Sequence, residues 1–109
     1  MKYQAGTDVA LGTPDVASAT KFYSEVFGFD VGRDLGNCQE IKAGPLTLYL
    51  AGDHTKEPCF VIQVDDVEAA GEKFLSNGCE KLNWDGGEGE IFIRDPFGYA
   101  WCVEICKND

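Results

Sequence analysis

Hydrophobic positions along this chain follow two alternating periods. Val16, Ala19, Phe22, Tyr23, Val26 and Phe27 recur at three- and four-residue steps, which places them on one side of a helix. Asp15 precedes the run as a side-chain acceptor for the first helical amides, and Gly28 ends it where a left-handed backbone is favoured. A second helical stripe, Val67, Ala70, Phe74 and Leu75, is capped by Asp65 or Asp66 and stops at Gly78. Around these stripes the period falls to two. Val9 and Leu11, Leu46 to Leu50, Phe60 to Val64, Ile91 and Ile93, and Trp101 to Ile105 each describe a strand with one apolar face. Weaker strands fit residues 29–34, 38–43 and 81–85, between Gly, Pro, Asn and Asp punctuation.

The two helical stripes begin alike, Asp15-Val16 and Asp66-Val67, at an offset of about 50 residues. Each half therefore reads strand, helix, strand, strand, strand. The pattern predicts one α+β domain over residues 1–109, built from two tandem βαβββ modules at about 1–53 and 57–109. The helices should lie outside two curved mixed sheets. Leu48, Ile62, Trp101 and Val103 are expected among the most buried residues, with Trp101 turned toward the helices by its strand parity.

Alternation sends the intervening residues to the opposite face, among them Asp8, Glu40, Lys42, Tyr49, Cys59, Gln63, Glu90, Phe92, Arg94, Cys102 and Glu104. That face is too polar for a second core. It is either a solvated sheet surface, which antiparallel sheets tolerate, or the wall of a partly polar cavity shared by the two sheets.

Composition narrows the function classes. Apolar residues make up 44% and charged residues 26% of the chain, as in an ordinary folded domain. Nineteen acidic against nine basic residues give a net charge of −10, which repels nucleic acid and anionic lipid alike. No apolar run is long enough to span a bilayer and no signal-peptide pattern opens the chain, so a cytoplasmic location is expected. Five cysteines without a C-x-x-C pair argue for reduced thiols rather than a disulfide framework or a zinc ribbon. The single histidine, His54, falls in a polar loop, and one histidine cannot make a two-histidine metal site. Gly86-Gly87-Glu88-Gly89 reads as a hairpin loop rather than a phosphate cradle, because a strand and not a helix follows it. No nucleophile elbow, P-loop or dinucleotide fingerprint is present.

Three stretches carry a family resemblance: Thr13-Pro14-Asp15-Val16 leading into Lys21-Phe22-Tyr23 and Val26-Phe27-Gly28-Phe29; Val64-Asp65-Asp66-Val67; and Arg94-Asp95-Pro96-Phe97-Gly98-Tyr99. Over essentially its whole length the chain resembles the vicinal oxygen chelate superfamily, the fold of glyoxalase I, bleomycin-resistance proteins and extradiol dioxygenases. The resemblance implies a cup-shaped mixed β-sheet with a ligand or metal inside, a metal being held by four residues, typically His, Gln or Glu, from the first and fourth strands of each module. Those positions look like Asp8, Tyr49, Cys59 and Cys102, none of which is His, Gln or Glu.

The resemblance therefore implies a binding protein without a metal cofactor. Its ligand would be a small organic molecule, cationic by the acidic excess, sequestered or sensed through Asp8, Glu40, Tyr49, Cys59, Glu90, Phe92, Arg94, Cys102 and Glu104. Trp84 is a further flat contact. Arg94 is the feature that would suit an anionic ligand instead. The alternative is a divergent lyase, isomerase or dioxygenase that keeps a metal through Asp8 and Glu104, or through the Cys59 and Cys102 thiolates. A homodimer is expected as well, since the family's single-domain members commonly pair and open strand edges need covering.

Overall fold

The computed structural model describes residues 3–52, 57–84 and 89–106. In chain order the elements are β1 (Tyr3–Gly12), α1 (Val16–Glu25), β2 (Asp30–Asp34), β3 (Cys38–Ala43), β4 (Leu46–Ala51), β5 (Pro58–Val64), α2 (Val67–Ser76), β6 (Glu80–Leu82), β7 (Ile91–Arg94) and β8 (Ala100–Ile105). Each half is a βαβββ module, as the periodicity predicts. Strand β1 runs longer than its two apolar anchors suggested, and β6 is shorter than expected. The chain divides into two compact units, Thr7–Pro58 and Met1–Gly6 with Cys59–Asp109, termed here the first and second modules.

Both helices start and stop where local chemistry dictates. Asp15 accepts the Ser18 amide at 2.9 Å, and Asp66 accepts the Ala69 amide at 3.0 Å, which satisfies donors that the first turn leaves open. Gly28 and Gly78 take φ of +75° and +100°, the left-handed backbone that glycine adopts without a Cβ penalty.

In the first module the strand order is β2-β3-β4-β1, with β1 and β4 parallel and the other pairs antiparallel. Helix α1 covers one face, and Ile41, Leu48 and Leu50 form the core with Val9, Leu11, Val16, Ala19, Tyr23 and Phe29 against them. The second module repeats the plan as β5-β8-β7-β6, with β5 and β8 parallel. Its core is Val64, Ala70, Ile93 and Val103, against which Tyr3, Ile62, Phe74, Cys79 and Trp101 pack.

Leu48 and Val103 are buried, as expected, but Ile62 and Trp101 are not among the most buried residues. Parity does turn both toward the helix side. They stop at the rim of the cluster, because α2, through Ala70, closes over Val64, Ile93 and Val103 and leaves the flank beside Trp101 open. No helix among the described residues is long and apolar enough to cross a membrane.

Candidate ligand-binding site

The first module gathers Asp8, Glu40 and Tyr49. Antiparallel pairing sets Glu40 opposite Tyr49, while the parallel β1–β4 pair sets Asp8 opposite Thr47 and Ala10 opposite Tyr49. Glu40 is only 1% exposed. Its Oε1 accepts from the Arg33 amide at 3.1 Å and from Arg33 Nε at 3.2 Å, and its Oε2 accepts from Arg33 Nη2 at 2.8 Å. Lys42 Nζ stands 3.7 Å from Oε1, and the Tyr49 hydroxyl donates to Oε2 at 3.4 Å. The Arg33 side chain and amide, opposed by burial, hold the Glu40 carboxyl at about 2, below its ordinary 4.5.

Gly32 makes this packing possible, since a Cβ there would lie 2.5 Å from Glu40 Oε1. Sequence pattern offered Glu40 as an acceptor for a ligand; in the fold its oxygens are engaged by its own module. Burial, followed by the neighbouring Asp8 and Glu40, pushes the Tyr49 phenol up from its ordinary value.

The second module brings Glu90, Phe92, Cys102 and Glu104 together. Val61 lies opposite Cys102 and Gln63 opposite Glu104 in the parallel pair, and Phe92 lies opposite Cys102 in the antiparallel one. Side-chain ligand atoms of Glu90, Cys102 and Glu104 all fall within 4.8 Å of one another. Gln63 Nε2 donates to Glu104 Oε2 at 3.1 Å, and Gln4 Nε2 donates to Gln63 Oε1 at 2.9 Å, so a neutral relay aims the Glu104 carboxylate. Burial pushes the Cys102 thiol far up, assisted by the charge of Glu90 and by its hydrogen bond to that carboxylate. Cys59 is also buried, its thiol 3.7 Å from the Phe60 carbonyl oxygen.

Beside this cluster lies a cavity of about 450 Å³ lined by Asp65, Asp66, Val67, Gly89, Glu90, Glu104 and Ile105. Four of those seven residues are carboxylates and none is basic. Asp65 and Asp66 were legible only as a helix cap, although two consecutive acids at a strand end are the signal that could have placed them in a site. Trp84 and Phe92 pair with centroids 5.5 Å apart, and both line an adjoining cavity that Glu90 also reaches. Arg94 Nη1 donates to the Gly98 carbonyl at 3.1 Å and thereby braces the β7–β8 turn. His54 and Gly86-Gly87-Glu88 lie outside the described residues.

The four residues that the resemblance offers as metal ligands, Asp8, Tyr49, Cys59 and Cys102, do not suit such a metal. Tyr49 is a phenol whose proton is held more tightly than usual and donated to Glu40, and the Cys102 thiol is likewise held protonated. Both would have to lose protons that their surroundings retain, whereas imidazole, amide and carboxylate donors ligate without that cost at neutral pH.

Comparison with known proteins agrees with the fold. Residues 7–103 match the sequence model of the Glyoxalase/Bleomycin resistance protein/Dioxygenase superfamily. None of the curated proteins matches the chain in sequence. A member of that superfamily from Vibrio splendidus 12B01 superposes with a TM-score of 0.67 at 15% identity, over 92% of this chain and 97% of the other. A hypothetical protein from Bacillus halodurans C-125 gives 0.67 at 13% identity, over 100% and 99%. Homoprotocatechuate 2,3-dioxygenase from Brevibacterium fuscum, in complex with 3,4-dihydroxyphenylacetate, gives 0.67 at 18% identity over 94% of this chain. The match spans 36% of that larger enzyme.

Proposed function

The chain belongs to the Glyoxalase/Bleomycin resistance protein/Dioxygenase superfamily, and from that premise we propose that it binds a small organic cation without a metal, to sequester or to sense it. The observation that carries this reading is the cavity of the second module, where Asp65, Asp66, Glu90 and Glu104 line one space of about 450 Å³. A cluster of one sign inside a concave wall concentrates counter-ions of the other sign. Phe92 and Trp84 offer ring faces beside Glu90, each worth roughly 0.5–2 kcal/mol to a nearby ammonium. Cys102 and Cys59 supply packing next to the carboxylates rather than charge. Asp8 and Tyr49 add acidic and aromatic surface in the first module, with Glu40 ordering Tyr49.

Thermal-shift and calorimetric titrations test the proposal with spermidine and a basic glycopeptide against succinate and a glutathione conjugate. Stabilisation by the cations, weakened by Glu104→Gln and Asp65→Asn, is expected. Stabilisation by the anions, abolished by Arg94→Ala, would reverse the sign of the ligand.

A second reading draws on the closeness of Glu90, Cys102 and Glu104, whose donor atoms could hold an ion in a divergent lyase, isomerase or dioxygenase. Elemental analysis separates the two. Stoichiometric metal that disappears in Cys102→Ser favours the enzyme, and ligand binding indifferent to chelators favours the binding protein. We also propose a homodimer, supported by the strand edges that β2 leaves in the first module and β6 in the second. Sedimentation equilibrium at micromolar concentration checks it, and a sole 11.9 kDa species would remove it.

A further inference from the structure

The second module holds another pocket that shares no lining residue with the acidic cavity. It is an open pocket of about 170 Å³ lined by Ile62, Phe74, Cys79, Ile93, Asp95 and Trp101. The first module shows what the same frame places there. After the left-handed glycine that ends each helix, the chain turns back onto a helical aromatic residue: the Phe29 amide donates to the Tyr23 carbonyl at 3.0 Å, and the Cys79 amide donates to the Phe74 carbonyl at 3.1 Å. Phe29 and Cys79 are thus counterparts, as are Tyr23 and Phe74.

In the first module the Phe29 ring stacks on Tyr23, with centroids 6.3 Å apart and planes 13° from parallel. In the second a thiol stands where that ring would be. The substitution leaves a gap beside Phe74 of the right size for one ring, since an apolar cavity of about 150 Å³ accommodates benzene. It also explains why Ile62 and Trp101 remain half-buried.

The polar groups around the gap already have partners. Trp101 Nε1 donates to Asp95 Oδ2 at 3.0 Å, and Asp95 Oδ1 accepts the Phe97 and Tyr99 amides at 2.9 Å each. Burial, together with the charge of Asp95, raises the Cys79 thiol above its ordinary value and keeps it neutral. A charged ligand would lose hydration against the apolar wall, and the one carboxylate that lines the pocket, Asp95, is already held by three N–H donors.

We propose that the second module binds a single uncharged aromatic ring in this pocket, against Phe74 and Trp101, in the place that Phe29 occupies in the first module. The inference stands apart from the acidic cavity and does not depend on the cation reading.

Methyl-resolved NMR titration of the full chain with benzene and toluene tests it. Saturable shifts at the Ile62 and Ile93 methyls are expected, with dissociation constants on the order of millimolar. Benzoate and benzylammonium should give no saturable response at those methyls. Cys79→Phe should abolish the toluene response and raise the melting temperature, because the new ring fills the gap. Cys79→Leu, a smaller change, should weaken toluene binding about tenfold or more, equivalent to ~1.4 kcal/mol. The absence of saturable shifts in the unsubstituted protein would overturn the proposal. So would toluene binding that persists unchanged in folded Cys79→Phe or Cys79→Leu protein. Spermidine binding measured on the same samples keeps the fate of the acidic cavity separate.

Discussion

Asp95→Ala should destabilise this protein well beyond an ordinary surface substitution, and the structure allows the size to be worked out. One Asp95 oxygen accepts the Phe97 and Tyr99 amides at 2.9 Å, and the other accepts the Trp101 indole at 3.0 Å. The turn is exposed at its tip, where Phe97 is 82% accessible, so solvent screening brings the two amide bonds down to about 0.5–1 kcal/mol each. The indole N–H is partly buried, and removing its acceptor costs about 1–2 kcal/mol. The total is roughly 2–4 kcal/mol, or a fall in melting temperature of about 8–16 °C for a chain of this size.

Urea and thermal melts followed by circular dichroism measure the loss directly. Asp95→Asn should lie between, because its amide oxygen can still accept the two backbone amides while its NH2 group meets the indole donor. In a Trp101→Phe background the cost of Asp95→Ala should shrink by about 1 kcal/mol, the share assigned to the indole bond. The bond to the Tyr99 amide is the largest cause that lowers the Asp95 carboxyl below its ordinary range. Its contribution is therefore present above that range and lost as pH falls through the lowered value, so the gap between Asp95→Ala and the unsubstituted protein should close in acid. Asp95→Ala within 0.5 kcal/mol of the unsubstituted protein at neutral pH, on the scale of an ordinary surface change, would refute the reasoning.

Three further outcomes follow from particular contacts. Gly32→Ala should cost about 1–3 kcal/mol in urea melts, because the new Cβ would meet Glu40 Oε1 at 2.5 Å and Arg33 keeps that side chain from swinging away. Glu40, held at about 2 against an ordinary 4.5, stabilises the fold above pH 4.5 and loses that contribution as pH falls toward 2; Arg33→Met should therefore raise the midpoint of acid unfolding. Trp101→Ala should cost about 2–3 kcal/mol by chemical denaturation, below the 3–5 kcal/mol of a fully buried ring, because one flank of the indole faces the open pocket.

Features fixed by neighbours in sequence were legible in advance. Asp15, Asp66 and Gly78 act within a turn of the chain, so both helix starts and the end of α2 could be read from residue chemistry alone, whereas α1 stops at Glu25, before the Val26 and Phe27 of its apolar stripe. Strand parity likewise gave the shared face of Phe92, Cys102 and Glu104. Depth was less accessible. Ile62 and Trp101 lie on the expected side but not at the expected burial, because depth depends on what packs across the strands, here Phe74 and Cys79, which are distant from both in sequence. The partner of Glu40 was hidden for a similar reason. Arg33 reaches it through the β2–β3 pairing, whose register shifts between Val31 and Asp34. Gly32 inside a strand was the available signal, since a glycine there marks close approach by another group.

The two modules treat carboxylates on equivalent sheet surfaces differently, and the difference yields a final prediction. In the first, two cations, Arg33 and Lys42, surround Glu40 and cancel its charge. In the second, the Gln63 amide holds Glu104 at 3.1 Å. An amide fixes the direction of a carboxylate yet leaves its charge available to a third party, whereas an ammonium in the same place consumes it. Gln63→Lys should therefore convert the Glu104 environment into one resembling that of Glu40. Circular dichroism should show a folded protein, since Gln63 is only half-buried on β5. Spermidine affinity should fall by about tenfold or more, the loss of one favourable charge contact of ~1.4 kcal/mol. Gln63→Leu, which removes the positioning donor without adding charge, should lower affinity less and leave its salt dependence intact. Equal losses in the two variants would mean that orientation, rather than the uncancelled charge of Glu104, governs binding.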